Sequence, residues 1–202
     1  MANLPKKFIV FDTEFTAWKG SLENNWSKDG EYKELVQISA YKVTKVHNRL
    51  EILDKIDLYI LPKYNNILSE YFINLTGIKQ DFLNKNGIDF INALKKFYEF
   101  CEKGQLCIYS YGNDYNIINE NLELYGYNTN DFIKYKYWST SFKDVKDIFS
   151  KYVDTSLYTS GTIYKAFNIF VSNDMVHNAS WDSYSIILAL DYLCHKYIST
   201  IN

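Results

Sequence analysis

Arginine is almost absent from this 202-residue chain: Arg49 is the only one, and the formal charge at neutral pH is −2. A protein that holds nucleic acid across a broad basic surface carries a clear excess of lysine and arginine, so any phosphate binding here has to be local. Proline and glycine are scarce as well, with 2 and 8 residues. No linker-like or low-complexity stretch divides the chain, which predicts one domain over residues 1–202. Cysteine is limited to Cys101, Cys107 and Cys194. An odd number, widely spaced within apolar segments, predicts neither a disulfide framework nor a zinc site and fits a reducing cytoplasm. Long apolar runs are also missing. The run from Phe8 is broken by Asp12 after four residues, too soon for a signal peptide or membrane span, so a soluble chain with no membrane partner is expected.

What the chain does have is 47% hydrophobic residues, enough for a full core at this length. Phe8 to Phe11 reads as a central strand buried on both faces. Leu35 to Thr44 and Ile52 to Leu61 alternate partially and predict two antiparallel neighbours, giving a three-stranded meander. Two helices are expected next, one ending at Gly77 and one carrying Phe90, Leu94, Phe97 and Cys101 at helical spacing before Gly104. Leu106 to Tyr111 reads as a further buried strand, followed by a turn at Gly112, Asn113 and Asp114 and a helix with Ile117, Ile118, Leu122 and Tyr125 on one face. Ser141 to Tyr152 and Thr162 to Asn168 are expected to form two short helices, and Ser180 to Tyr197 the last one. The fold class is α/β, with a mixed sheet covered by helices.

Three clusters could carry chemistry. Asp12 and Glu14, two apart at the end of a central strand, project from the same face, and two adjacent buried anions need a proton, a cation or a metal. Asp114 opens a helix, where a capping role would account for it equally well. His177 and Asp182 flank a helix start, with Ala179 small enough for close backbone approach. His177 has an ordinary pKa near 6.5, suited to accepting a proton at physiological pH. His47, in the strand connection, and His195, at the end of the last helix, read as structural.

In this order, a strand-borne D-x-E, an Asp at a strand-to-helix turn, and H-x-A-x-x-D entering the last helix resemble the motifs of the DEDDh 3′→5′ exonuclease superfamily, the ribonuclease T/DnaQ-like enzymes. FDTEFTAWKGS, ELVQISA and YTSGTIYKAFNIF look most like the KapD-like and Eri-type stand-alone members. The resemblance spans roughly Lys6 to Leu193 and implies a ribonuclease H-like fold. It puts Asp12, Glu14, Asp114 and Asp182 on two divalent cations, Mg²⁺ or Mn²⁺, and makes His177 the general base. Asn178 follows the histidine and no tyrosine lies four residues before Asp182, which indicates the histidine variant. Two positions depart from the family pattern: Tyr111 stands where relatives often have Trp, and Asp114 lies one residue nearer the glycine than in some members.

The activity implied is hydrolysis of single-stranded 3′ ends to nucleoside 5′-monophosphates, RNA slightly favoured, with DNA end trimming or proofreading as the alternative. A homodimer or a larger nucleic-acid-processing assembly stays open. Phe15, Trp18 and Trp26 are candidates for stacking on terminal bases. By analogy with the family, the backbone of Thr13 to Phe15, with Ser160 and Gly161, is expected near the terminal nucleotide. Lys134 to Trp138 interleaves lysine with aromatics and reads either as a phosphate-tracking rim or as a solvated edge. A haloacid-dehalogenase-type phosphatase is a poorer match, because Glu14 stands where that chemistry needs an aspartate. An inactive binding module would be expected to have lost an acid or the histidine.

Overall fold

The computed structural model describes residues 4–127, 138–172 and 176–196. A five-stranded sheet organises it, with β1 (Lys7–Phe15), β2 (Leu35–Val46), β3 (Arg49–Tyr59), β4 (Cys107–Ser110) and β5 (Phe142–Asp144) in the order β3-β2-β1-β4-β5. The β1–β2 and β2–β3 pairs are antiparallel, whereas β1–β4 and β4–β5 are parallel. The expected meander is therefore present and β1 is central.

The helices are α1 (Ser21–Asn24), α2 (Glu70–Thr76), α3 (Gln80–Asn86), α4 (Phe90–Phe100), α5 (Asp114–Leu124), α6 (Lys146–Phe149) and α7 (Ala179–Lys196). Alternation along β1 sends Ile9 and Phe11 into one core, against Phe90, Leu94 and Phe97 of α4 and Ile117 and Ile118 of α5. Phe8 and Val10 enter the other core, with Ile186, Ile187 and Leu190 of α7. A continuous apolar strand is required because both faces of its sheet are covered.

Three expectations are corrected. The segment after the meander makes three helices; α3 was not foreseen because its seven residues bury only Leu83 and offer little periodic signal. The stretch Ser141 to Tyr152, expected to be helical, begins as strand β5, which occupies the open edge of β4 and satisfies backbone groups that would otherwise be unpaired; only Lys146–Phe149 is α-helical. Thr162 to Asn168 is 3₁₀ rather than α, and starts earlier, at Ser160, behind a Thr159 amide that donates to the Thr162 hydroxyl at 2.9 Å. His47 sits in the β2–β3 turn with φ 54° and His195 in the last turn of α7, both as expected. Most of Lys134 to Trp138 lies outside the described residues; Trp138 itself is buried in the α4 core. Among the described residues no helix is long and apolar enough to cross a membrane.

Glu34 ties the loop after the meander to the strand end that carries Asp12 and Glu14. Its side chain is fully buried and accepts from the amides of Lys63 (2.6 Å), Tyr64 (2.9 Å) and Asn65 and from the Tyr125 hydroxyl (2.7 Å). Its main chain pairs with Thr16, amide to carbonyl, at 2.9 Å. Removing the carboxylate leaves four donors without this acceptor, so Glu34→Ala should lower unfolding stability by about 2 kcal/mol in a urea titration; a change below about 0.5 kcal/mol would mean that the loop does not depend on this anchor.

Candidate active site

The C-terminal end of β1 runs into a cleft of about 540 Å³ lined by Asp12, Glu14, Asp114, His177 and Asp182 on one part and by Phe15, Trp18, Leu22, Trp26, Tyr71 and Leu75 on another. Strand alternation divides the acids. Asp12 and Glu14 face the side covered by α7, where Asp182 enters from the first turn of that helix, and carboxylate oxygens of the three lie within 4.8 Å of one another. Thr13 points the opposite way and meets Asp114 at the start of α5. Its amide donates to Asp114 Oδ1 at 3.0 Å and its hydroxyl at 2.7 Å. Asp114 is therefore not the cap of its helix; Asn113 holds that position, without a side-chain capping bond. The carboxylate is instead fixed across 101 residues of sequence to the strand that carries the other two acids.

Asp182 is built with similar care. Asn178 Oδ1 accepts from the amides of Ser180 (3.2 Å) and Trp181 (3.3 Å) and starts α7, placing Asp182 where the helix dipole favours negative charge. Ser160 donates its hydroxyl to Asp182 Oδ2 at 3.0 Å. Gly161 lies behind it: a Cβ there would come within 2.4 Å of Asp182 Oδ1, so only glycine leaves the carboxylate its place. The Trp181 indole donates to the Gly161 carbonyl at 3.1 Å and locks the two segments together. Asp182 Oδ1 is itself buried with no hydrogen-bond partner among the described residues.

The electrostatics follow from crowding in a desolvated place. All four acids are at most 9% exposed. Burial first, then repulsion from Asp114, Asp182 and Glu14, raises the Asp12 carboxyl well above the usual carboxylate range; burial and the charges of Asp182 and Asp114 do the same to Glu14. Burial pushes Asp114 up to about 6 against the Thr13 hydrogen bonds, and Asp182 up to about 7 against those from Ser160 and the nearby backbone. His177 stands at the cleft with φ 65°, in the left-handed region that histidine tolerates better than most residues. Partial desolvation lowers its imidazole pKa from the ordinary histidine value, which favours the neutral, proton-accepting form.

The structure brings the five expected acid and histidine residues together. Of the expected substrate contacts, Thr13, Phe15, Trp18 and Ser160 line the cleft, with Phe15 and Trp26 in a tilted ring contact at 5.5 Å. Thr13 and Ser160 also hold the acids, Thr13 donating to Asp114 through its amide and hydroxyl and Ser160 to Asp182, and Gly161 makes room for Asp182. Leu22, Tyr71 and Leu75 also line the cleft. Sequence reading missed them because an apolar residue on a short helix carries no mark of the cleft it will face.

Similarity to known proteins agrees with this geometry. The exonuclease family model typified by ribonuclease T matches residues 9–189. No curated protein sequence matches the chain significantly. Among solved structures, the nuclease domain of 3′hExo, a DEDDh family member bound to rAMP, superposes with a TM-score of 0.70 at 20% identity, covering 95% of this chain and 93% of that one. The cell-death related nuclease CRN-4 gives 0.64 at 16% identity, over 96% of this chain and 64% of that one. E. coli exonuclease I in complex with a dA16 oligonucleotide gives 0.63 at 15% identity, over 97% and 43%. With the family model covering nearly the whole sheet and all the acids, the chain belongs to the ribonuclease T exonuclease family.

Proposed function

We propose that the protein is a two-metal 3′→5′ exonuclease that releases nucleoside 5′-monophosphates from single-stranded nucleic acid, with RNA slightly favoured. The observation that carries this reading is the convergence of Asp12, Glu14 and Asp182 within 4.8 Å, with one Asp182 oxygen buried and unpartnered. A cluster of hard carboxylate oxygens that raises its own proton affinity fits a divalent cation and does not suit a softer metal. Held by Asp12, Glu14, Asp114 and Asp182, two Mg²⁺ or Mn²⁺ ions would supply Lewis-acid stabilisation of the attacking and leaving oxygens of an in-line displacement at phosphorus.

The chain's own residues supply the rest. Neutral His177 accepts the proton of the attacking water at an imidazole nitrogen. Thr13 and Ser160 hold Asp114 and Asp182 in place through their hydroxyls. Phe15 and Trp18 offer ring faces to the terminal base, a contact that tolerates any sequence. The lean toward RNA is supported by the likeness to a nuclease domain bound to rAMP; trimming of DNA ends is the second reading, supported by the likeness to exonuclease I with dA16. An inactive binding module is disfavoured because every acid and the histidine are retained. Three free cysteines suit a reducing cytoplasm.

With Mg²⁺ or Mn²⁺, the wild type should release nucleoside monophosphates from a 5′-labelled single strand, and Asp12→Ala should be slower by roughly 1000-fold, about 4 kcal/mol of barrier. Equal degradation by both proteins, or none by either, contradicts the assignment. Acid crowding gives a second test. In the metal-free protein Asp114 and Asp182 bind their protons more tightly folded than unfolded. The stability they contribute is therefore fully present below the ordinary carboxylate value of 3.8 and is lost as pH rises through about 6 and about 7. Saturating Mg²⁺ should accordingly raise the melting temperature by about 5–10 °C at pH 7.5 and by much less at pH 5; a rise that is the same at both pH values would show that these carboxylates do not hold the ion.

A further inference from the structure

A cleft that receives a polyanion is walled by four acids, yet none of the described residues lining it is lysine or arginine. Metal ions could offset the acids at the scissile phosphate, but the next phosphates along a strand would meet no cation on the cleft wall itself. Two lysines stand one layer back, on aromatic residues that line the cleft. Lys33 Nζ lies 5.1 Å from the Trp26 ring centroid and is ion-paired with Glu120 at 3.6 Å. Lys146 Nζ lies 4.6 Å above the Tyr111 ring and makes no ion pair among the described residues.

The surroundings of Lys146 hold that charge against the turn that delivers Asp114. Tyr111 and Asn113 both line the cleft. Between them Gly112 has φ 95°, and a Cβ there would approach Lys146 Nζ to 3.4 Å, so the ammonium lies beside this glycine. Asp144 Oδ1 accepts from the amides of Gly112 (3.0 Å) and Lys146 (2.8 Å), clamping the start of α6 to this turn. Tyr111 is immobile beneath the ammonium: its hydroxyl donates to the carbonyls of Thr155 (2.7 Å) and Tyr158 (3.1 Å), and its ring packs against Phe149 with 6.4 Å between centroids. A lysine stem laid on a fixed ring with its head uncommitted is already ordered for a phosphate, so little side-chain entropy is lost on contact.

We infer that Lys146 is a substrate-binding residue that contacts a backbone phosphate of the strand beyond the terminal nucleotide, on the Tyr111–Asn113 rim. The inference rests on the exonuclease reading for the identity of the strand, and it extends that reading to a contact that sets affinity rather than the chemical step. A phosphate contact carries no base information, so its loss weakens all sequences alike and makes binding less salt-dependent.

The test is fluorescence anisotropy with a 5′-fluorescein single-stranded RNA carrying a 3′-terminal phosphorothioate, in Mg²⁺, across a range of KCl, for wild type, Lys146→Gln and Lys146→Arg. Lys146→Gln should weaken binding about fivefold at low salt and flatten the log–log salt slope by about 0.7, the contribution of one phosphate on a single strand, while Lys146→Arg keeps the wild-type slope. A melting curve on each variant separates this from loss of fold. Unchanged affinity and slope in folded Lys146→Gln overturns the inference, as does weakening with no change in slope, which would mark the lysine as packing on Tyr111 only. Cleavage of the unmodified strand by the same wild-type preparation is scored separately: a strand that binds through Lys146 without being cleaved removes the exonuclease reading and leaves the phosphate contact standing.

Discussion

Four carboxylates in one desolvated cleft are the constraint on which the rest of this structure depends. Water would solvate such charges cheaply at an exposed strand end, but here all four are nearly buried, and their proton affinities rise because neither solvent nor a cationic side chain relieves them. A fold keeps such an arrangement only by forcing it with stronger interactions elsewhere, and functional sites are where that kind of stored cost is expected.

The forcing comes from the two sheet cores. Residues on alternate faces of β1 are gripped by α4 and α5 on one side and by α7 on the other, so the strand end cannot turn its acids outward without exposing Phe8 to Phe11. The same alternation decides who meets whom: even positions face Asp182, and Thr13 faces Asp114. Short hydrogen bonds from Thr13 and Ser160, and the missing side chain at Gly161, then fix the two acids that come from other elements.

Much of this was legible in the sequence, for physical reasons that can be traced. An unbroken apolar run ending in D-x-E predicted both a strand covered on two faces and a shared direction for Asp12 and Glu14. H-x-A-x-x-D predicted a histidine before a helix and an acid one turn inside it, which Asn178 capping provides. Asp114 was ambiguous because a helix-opening aspartate usually caps; its bond to Thr13 spans 101 residues and leaves no local trace. β5 was read as helix because three residues are too few to show a strand period, and its pairing is dictated by the open edge of β4. The reason for a glycine at 161, the Asp182 carboxylate against its Cα, exists only in three dimensions and leaves no mark in the sequence. The rim lysine Lys146 stayed invisible for the same reason, since the Tyr111 ring beneath it comes from the turn after β4, 35 residues earlier in the chain.

The central claim is that these carboxylates exist to hold divalent cations, and counting bound ions tests it most directly. Titration of the metal-free protein with Mn²⁺, followed by the loss of the free-ion electron paramagnetic resonance signal, should reveal two ions bound per chain at neutral pH, with at least one lost in Asp182→Asn. Absence of Mn²⁺ binding to the folded wild type, or full binding retained by the variant, would contradict the account.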